Sequence, residues 1–492
     1  MNRRGTIVAA LAVSALAMSA LAGCDLAPVY QPPVFAIPDS YQGTSPWEIA
    51  HPGDGVPPGP WWTSYGNPTL NDLESKVPDN PDLMVAEETF VQARELAAEA
   101  EAVLYPQIGI NGQASQNRQS PTRLFRSPKS VAPLVEPSVQ VDAAASWEID
   151  IWDSIHNEAR SRERLAQAEA ANLAAVKLSL QAELANAYMT LRGLDQQALL
   201  YRQTAETYRT AVNITRLRLN DRIGNELDVA RAEAQYGGAV ALLYESAAQR
   251  AVALHAIAVL IGVSANGFTL PPQQDMPLIL PHIPTGLPSA LLQRRPDIAA
   301  AERYMASANA EIGVARAAFY PNISLGGFAG TQDSGFNLFS LPNAVWSVGS
   351  AIGMPLFEGG LRRAELGFAD SAYRQTRDQY RSVVLSAFQQ VEDQLALNDF
   401  LAKEAAEDKV VFTASSRAVN LALQLYRTGV GNYLDVVVAQ VTLFQAATTQ
   451  LNTDIRVQQA SINLIRALGG GWDAKALPSE KAVLPFDPLG LD

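Results

Sequence analysis

The sequence predicts an α+β membrane protein with an internal two-fold structural repeat. Three observations predict it. First, residues 81–106 lie on residues 296–321 without a gap. Both stretches open on Pro-Asp (Pro81-Asp82, Pro296-Asp297) and close on Tyr-Pro (Tyr105-Pro106, Tyr320-Pro321), with Glu87 on Glu302, Ala93 on Ala308 and Ala102 on Ala317. Second, Gly224-Asn225-Glu226-Leu227-Asp228-Val229 matches Gly431-Asn432-Tyr433-Leu434-Asp435-Val436. The two offsets, 215 and 207, differ by eight residues, so the halves share one layout. Third, a long strand-period pattern and a long helix-period pattern sit side by side in each half.

The N-terminus reads as an export signal over residues 1–23. Arg3-Arg4 supply its positive start, and Ile7 to Leu21 form an apolar run too short for a confident membrane span. It ends in Leu21-Ala22-Gly23-Cys24, the pattern of a bacterial lipobox, and Cys24 is the single cysteine of the chain. Lipidation of Cys24 with palmitate-type chains follows; the alternative is a stray cysteine at an ordinary cleavage site. Several acyl chains on one residue anchor it firmly. Intramolecular disulfides are excluded. Residues 24–63, rich in Pro and Gly, read as an extended lipidated tether. Trp61-Trp62 then precede a short helical segment around Leu70.

The first repeat occupies 64–270. Its opening helix, about 81–104, ends at Tyr105-Pro106, because proline cannot continue a helix. A strand follows, with Ile108 and Ile110 on one face and Gln107, Asn111 and Gln113 on the other. In its partner, Val139, Val141, Ala143, Ala145, Trp147, Ile149 and Ile151 alternate with a face that carries Asp142, Glu148 and Asp150. Such length suits a tilted membrane strand whose polar face meets a water-filled lumen; a soluble hairpin on a core is the alternative. The loop between these strands carries Arg118, Arg123, Arg126 and Lys129, placed to meet anionic headgroups or simply solvated. After a linker at 271–290, the second repeat (291–470) offers Ile323 and Leu325 in one strand. Val345 to Phe357 follows as a weaker one, its apolar face interrupted by Ser350. Residues 471–492 form a tail.

Long helices complete each repeat, since proline is absent between Pro137 and Pro271 and between Pro355 and Pro478. Leu173, Val176, Leu180, Leu184, Ala187, Leu191, Leu194, Ala198, Tyr201, Ala205, Tyr208, Val212, Thr215 and Leu219 recur at spacings of three and four, the mark of a left-handed coiled coil. A helix from Asp153 to Arg222 spans about 100 Å, too long for an ordinary bundle. Turns fall at Gly224-Asn225 and at Gly429-Val430-Gly431-Asn432, where glycine tolerates positive φ. Asp228 and Asp435 follow; they either cap helices or, repeated around an axis, form carboxylate rings at a constriction.

The chain is not expected to be an enzyme. His51, His156, His255 and His282 lack ligand spacing, and no phosphate loop or nucleophile elbow is present, so neither cofactor nor metal is expected. A net charge of −13 argues against a nucleic-acid partner.

These residues resemble the TolC-type outer membrane factors, in particular the OprM/NodT-like efflux lipoproteins. Cys24 with Pro28, Tyr30 and Pro33 is similar to the family's lipidated start, and Trp61-Trp62-Thr63-Ser64-Tyr65 to its early Trp-Trp motif. The most specific run goes from Gly286-Leu287-Pro288-Ser289 through Arg294-Arg295-Pro296-Asp297 to Ile312-Gly313-Val314-Ala315-Arg316-Ala317-Ala318-Phe319-Tyr320-Pro321. The resemblance implies a homotrimer. Its twelve-strand outer-membrane β-barrel, four strands per chain, is continuous with a long periplasmic α-helical coiled-coil barrel. It implies the outer-membrane channel of a tripartite, RND-type drug efflux pump, docked on a periplasmic adaptor (membrane fusion) protein and an inner-membrane transporter. By position it implies a periplasmic gate at Asp435, with Asp228 and Tyr426 as hairpin-to-hairpin partners. Adaptor contacts would fall at Gly224, Asn225, Gly429, Gly431 and Asn432. Three departures stand out: Arg222 lies where the second repeat has Gly429, Ser350 breaks an apolar face, and Asp25 directly follows Cys24, a pair that affects lipoprotein sorting in some bacteria. The other readings are a type I protein secretion duct and a structural periplasmic coiled-coil lipoprotein.

Overall fold

The computed structural model describes residues 25–33, 59–118, 120–122, 131, 134–273, 280, 281, 283, 291–335 and 337–483. Cys24, Arg123, Arg126 and Lys129 lie outside them. Among the described residues no helix is long and apolar enough to cross a membrane.

The elements run in the same order twice. Helix α1 (Pro68–Glu74) leads into α2 (Pro81–Ala102), β1 (Gln107–Arg118), β2 (Val135–Ile149), α3 (Ser154–Asn220) and α4 (Glu226–Leu260). The short α5 (Leu291–Arg294) then precedes α6 (Pro296–Ala317), β3 (Asn322–Asp333), β4 (Ala344–Gly353), α7 (Leu361–Arg427), α8 (Tyr433–Ala467) and α9 (Glu480–Val483). Lengths match across the halves: α2 and α6 have 22 residues, α3 and α7 67, α4 and α8 35. All fourteen heptad-spaced residues of α3 are buried or half-buried.

The sheet is antiparallel in the order β1-β2-β3-β4. Its register aligns the apolar faces: Ile108, Ala145, Gly327 and Val348 stand side by side, as do Ile110, Ala143, Ala329 and Trp346. The other face groups Gln113, Gln140 and Gln332. On the apolar face Ile108 is 79% exposed, Trp346 77% and Val348 81%, so a single chain leaves it uncovered. Ser350 does interrupt this face, beside Leu325.

Two strand boundaries differ from the sequence reading. β2 starts earlier and ends at Ile149, because Asp150 turns into the start of α3. Its Oδ1 accepts from the Ser154 amide at 2.6 Å and its Oδ2 from the His156 amide at 2.8 Å. Asp150 is therefore a helix cap, and the acids within the strand are Asp142 and Glu148, joined by Glu136 through the earlier start. The strand includes Pro137, which pairs with Gln116 on β1 but lies before the first β3 pairing at Val139, where a missing donor is tolerated. β4 stops at Gly353, opposite Asn322 where β3 begins, and Pro355 cannot extend the ladder. Met354, Leu356 and Phe357 lie exposed beyond it.

The main core sits partway along the helices. Trp61, Tyr65, Leu70 and Leu73 pack there with Leu184, Tyr188 and Leu191 of α3, Leu254 and Ile257 of α4, Val391 of α7 and Ile462 of α8. Trp61, read as part of the tether, thus belongs to the core. Residues 25–33 are also docked. Asn309 donates to the Pro28 carbonyl at 2.8 Å, and Arg160 pairs with Asp25 at 2.9 Å.

The Pro-Asp and Tyr-Pro runs acquire a physical meaning here. Asn80 caps α2 and also donates to the Leu260 carbonyl at the end of α4, at 3.0 Å. Arg295, 215 residues on, donates to the Ala467 carbonyl at the end of α8 at 2.9 Å, to Gln390 at 2.9 Å and to Asp297 at 2.6 Å. Beside each lock a left-handed glycine, Gly262 (φ 73°) or Gly469 (φ 95°), lies against the Asp79 or Arg294 carbonyl, where a Cβ would not fit. At the other end of α6, Trp152 donates to the Pro321 carbonyl at 2.8 Å and stacks on Tyr320 at 4.6 Å.

Candidate functional site

The site begins with the two turns that join α3 to α4 and α7 to α8. Both close in the same way. The amides of Ile223 and Gly224 bond the Arg218 carbonyl, and those of Val430 and Gly431 bond the Leu425 carbonyl. The left-handed residue is Arg222 in the first turn (φ 62°) and Gly429 in the second (φ 80°). Positive φ was expected at the glycines of both turns; Gly224 and Gly431 do not have it. They are needed for closeness instead, since a Cβ on Gly224 would lie 3.1 Å from the Arg218 backbone and one on Gly431 3.0 Å from the Leu425 side chain. Arg222 therefore turns as Gly429 does, in a conformation that L-residues adopt at some cost.

Asn225 and Asn432, not the aspartates, cap the re-entering helices. Asn225 Oδ1 accepts from the Asp228 amide at 2.9 Å and Asn432 Oδ1 from the Asp435 amide at 3.0 Å. Each aspartate sits in the first turn, where the helix dipole favours its charge while its carboxylate stays available. Asp435 is exposed, and its carboxylate makes no hydrogen bond or ion pair among the described residues. Asp228 is half-buried and has Arg231 at 3.9 Å.

Tyr426 is buried against Tyr433, ring centroids 5.5 Å apart, and the Arg218 guanidinium lies 4.7 Å above its ring. Val436, Val212 and Ala232 complete this small core, which joins the two hairpins. Burial, helped by Tyr426 and the Asp228 charge, pushes the Tyr433 hydroxyl up to about 12. The Tyr426 hydroxyl is raised as well, first by burial and then by Asp228 against the opposing pull of Arg218. The structure thus brings Asp228 near Tyr426 and leaves Asp435 apart on the surface of α8. Sequence reasoning missed Tyr433 and Arg218. The signal for Tyr433 was the one letter by which the second Gly-Asn-x-Leu-Asp-Val run departs from the first.

Asp150, Asp153 and His156 bring ligand atoms within 4.8 Å of one another at the junction of β2 and α3. Both Asp150 oxygens already hold α3 amides and one also meets the His156 ring, so the group works as a helix start.

An exposed apolar sheet face carried on helices of this length defines an elongated membrane-channel subunit. The outer membrane efflux protein model matches residues 77–263 and 287–470. OprJ of Pseudomonas aeruginosa, an outer membrane protein, is 30% identical over 453 residues, covering 91% of this chain and 92% of that one. The outer-membrane channel OprN superposes with a TM-score of 0.84 at 27% identity, over 91% of this chain and all of that one. The open MtrE outer membrane channel of Neisseria gonorrhoeae superposes with a TM-score of 0.80 at 27% identity, covering 92% and 99%. The chain belongs to the outer membrane efflux protein family. Its place is the outer membrane of a Gram-negative bacterium, with a helical tunnel in the periplasm.

Proposed function

We propose that three copies of the chain form a passive, gated export duct for a tripartite drug or small-molecule efflux pump. One observation carries this reading: a four-stranded sheet with one exposed, mainly apolar face, broken at Ser350, and no strand beyond β1 or β4 among the described residues. Open edges buried in lipid are untenable, and transmembrane barrels begin at about eight strands, so the sheet needs copies of itself. Three chains of four strands give twelve. The matched element lengths and the Asn80 and Arg295 locks support an ancestral duplication with repeats at 64–270 and 291–470. Val348→Arg, on the lipid face, is expected to cost about 2–4 kcal/mol per chain near the bilayer midplane and to deplete the outer-membrane fraction, whereas Gln140→Arg on the lumen face leaves it intact. Equal yields of the two variants count against this assignment of faces.

Cys24 is the anchor in this reading. Asp25, to which it is bonded, is held by Asn157 and Arg160 in the first turns of α3, directly below the sheet. The tips with Gly224, Asn225, Gly429, Gly431 and Asn432 meet the periplasmic adaptor, which links the duct to an inner-membrane transporter. Asp435 forms the gate ring, with Asp228 and Tyr426 holding hairpin to hairpin; its free carboxylate at the tip supports that role. Single-channel conductance tests it. Wild type gives small, mostly closed currents, and Asp435→Ala raises open probability several-fold; identical traces remove Asp435 from the gate.

A further inference from the structure

One side chain on the polar face of the sheet is out of keeping with the rest. The register carries that face from Gln113, Gln140 and Gln332 to Asn111, Asp142 and Gly330, and then to Gly109, Ala144, Phe328 and Ser347. Phe328 is the single aromatic residue among the strand positions of this face, and it is 36% exposed. Its neighbours along β3 are Gly326 and Gly330, and its partners across are Ala144 and Ser347, none large enough to cover the ring. A phenyl ring held open on a wall of amides, glycines and serines contributes little to burial. Its use lies in the surface it presents.

The charge of the same face specifies what that surface meets. Glu136, Asp142 and Glu148 lie on it, and no strand position of it holds Lys or Arg; Arg118, the one cation within the strands, pairs with Val135 on the opposite face. Asp142 stands nearest to the ring. It pairs with Gly330, two residues from Phe328, which puts the two side chains roughly 7 Å apart. Its oxygens accept from Gln140 at 2.9 Å and Asn111 at 3.4 Å, both neutral donors, so its charge is uncompensated. No side chain stands across from it on β3, since a Cβ on Gly330 would lie 2.1 Å from the Val141 carbonyl. A phenyl face attracts cations through its quadrupole, and a fixed carboxylate in a channel wall raises the local concentration of cations and repels anions. We propose that Phe328 and Asp142 form a binding girdle for organic cations of the quaternary ammonium type in the barrel lumen, one ring and one carboxylate per chain. The girdle rests on the duct reading, in which this face lines the lumen.

The probe is benzyltrimethylammonium, which is water-soluble and permanently charged, added to full-length protein in amphipol and followed by saturation-transfer NMR and calorimetry. Saturable binding of at most one molecule per chain is expected. Neutral benzyl alcohol and anionic benzenesulfonate should each bind at least fivefold more weakly. Phe328→Leu, which keeps an apolar side chain without the ring, and Asp142→Asn, which keeps the shape without the charge, should each lower affinity for the cation at least threefold. Phe328→Tyr should restore it, and Trp346→Leu on the opposite face should leave it unchanged. Should Asp142→Asn fail to fold, Phe328→Leu against Phe328→Tyr decides alone. Size exclusion separates the two levels of the argument. A monomeric protein removes the duct and the girdle together. A folded trimer without saturable binding, or with equal affinity for the cation and benzyl alcohol, overturns the girdle and leaves the duct standing, and so does undiminished affinity in Phe328→Leu.

Discussion

Asp195→Ala is expected to destabilise the middle of the channel by about 3–5 kcal/mol, the usual result of stripping one partner from a buried charge pair. Asp195 lies wholly inside, with Arg192 Nη1 at 2.7 Å on one oxygen and Arg250 Nε at 2.6 Å on the other. The Gln273 amide also donates to it at 3.1 Å. Both arginines reach on to the chain that follows α4. Arg192 donates to the Pro271 carbonyl at 2.9 Å and Arg250 to the Leu270 carbonyl at 2.8 Å. One carboxylate therefore holds two guanidiniums, and through them the returning segment, onto α3. Removing it leaves two cations facing each other in a site with little water. The measurement is the thermal midpoint of the purified protein, with Asp195→Asn alongside: Asn keeps hydrogen bonding without the charge and should fall between. An unchanged midpoint for Asp195→Ala would sink this account.

Glu74→Gln is expected to stabilise the protein at neutral pH. The Glu74 side chain, at the end of α1, is 1% exposed, and neither oxygen has a hydrogen-bond partner among the described residues. Burial pushes its carboxyl up from an ordinary 4.5 to about 9. Folding must therefore protonate a group that is ionised in the unfolded chain at neutral pH. Because the folded value lies above the unfolded one, its contribution to stability is complete below about pH 4.5 and is lost progressively as pH rises toward 9. At pH 7 the deficit is roughly 3 kcal/mol, from about 1.4 kcal/mol per pH unit above the unfolded value. Glutamine of the same shape carries no such linkage. The wild-type midpoint should fall between pH 5 and pH 9 relative to that of Glu74→Gln, and parallel pH profiles would refute the assignment.

Most of the layout was legible in the residues. The 3.5-residue period from Leu173 to Leu219 gave α3 to its C-terminal end, the proline-free stretch carried it back toward Asp153, and period-two alternation gave all four strands. What failed was local: Asp150 alternates correctly with its neighbours yet leaves the strand, because two α3 amides without partners compete for its oxygens. Arg222 was read as a departure from Gly429, and it turns in the same way, because the six-residue bonding of the turn to the Arg218 carbonyl fixes the backbone whatever the side chain. Asp228 and Asp435 were left between cap and gate; the adjacent asparagines take the caps.

The sequence by itself determined the repeated order of elements, the faces of the strands, the long coils and the family. Those features follow from spacing along the chain, and spacing is what side chains on one strand or helix share. Only the tertiary structure decided that Asn80 and Arg295 do the same work 215 residues apart. It alone placed Asp195 between two arginines, and it buried Glu74, the Tyr433 hydroxyl and the Gln440 amide oxygen without hydrogen-bond partners among the described residues. Each of these depends on which groups from distant segments share the space from which water has been removed, and hydrophobic periodicity carries no information about that pairing.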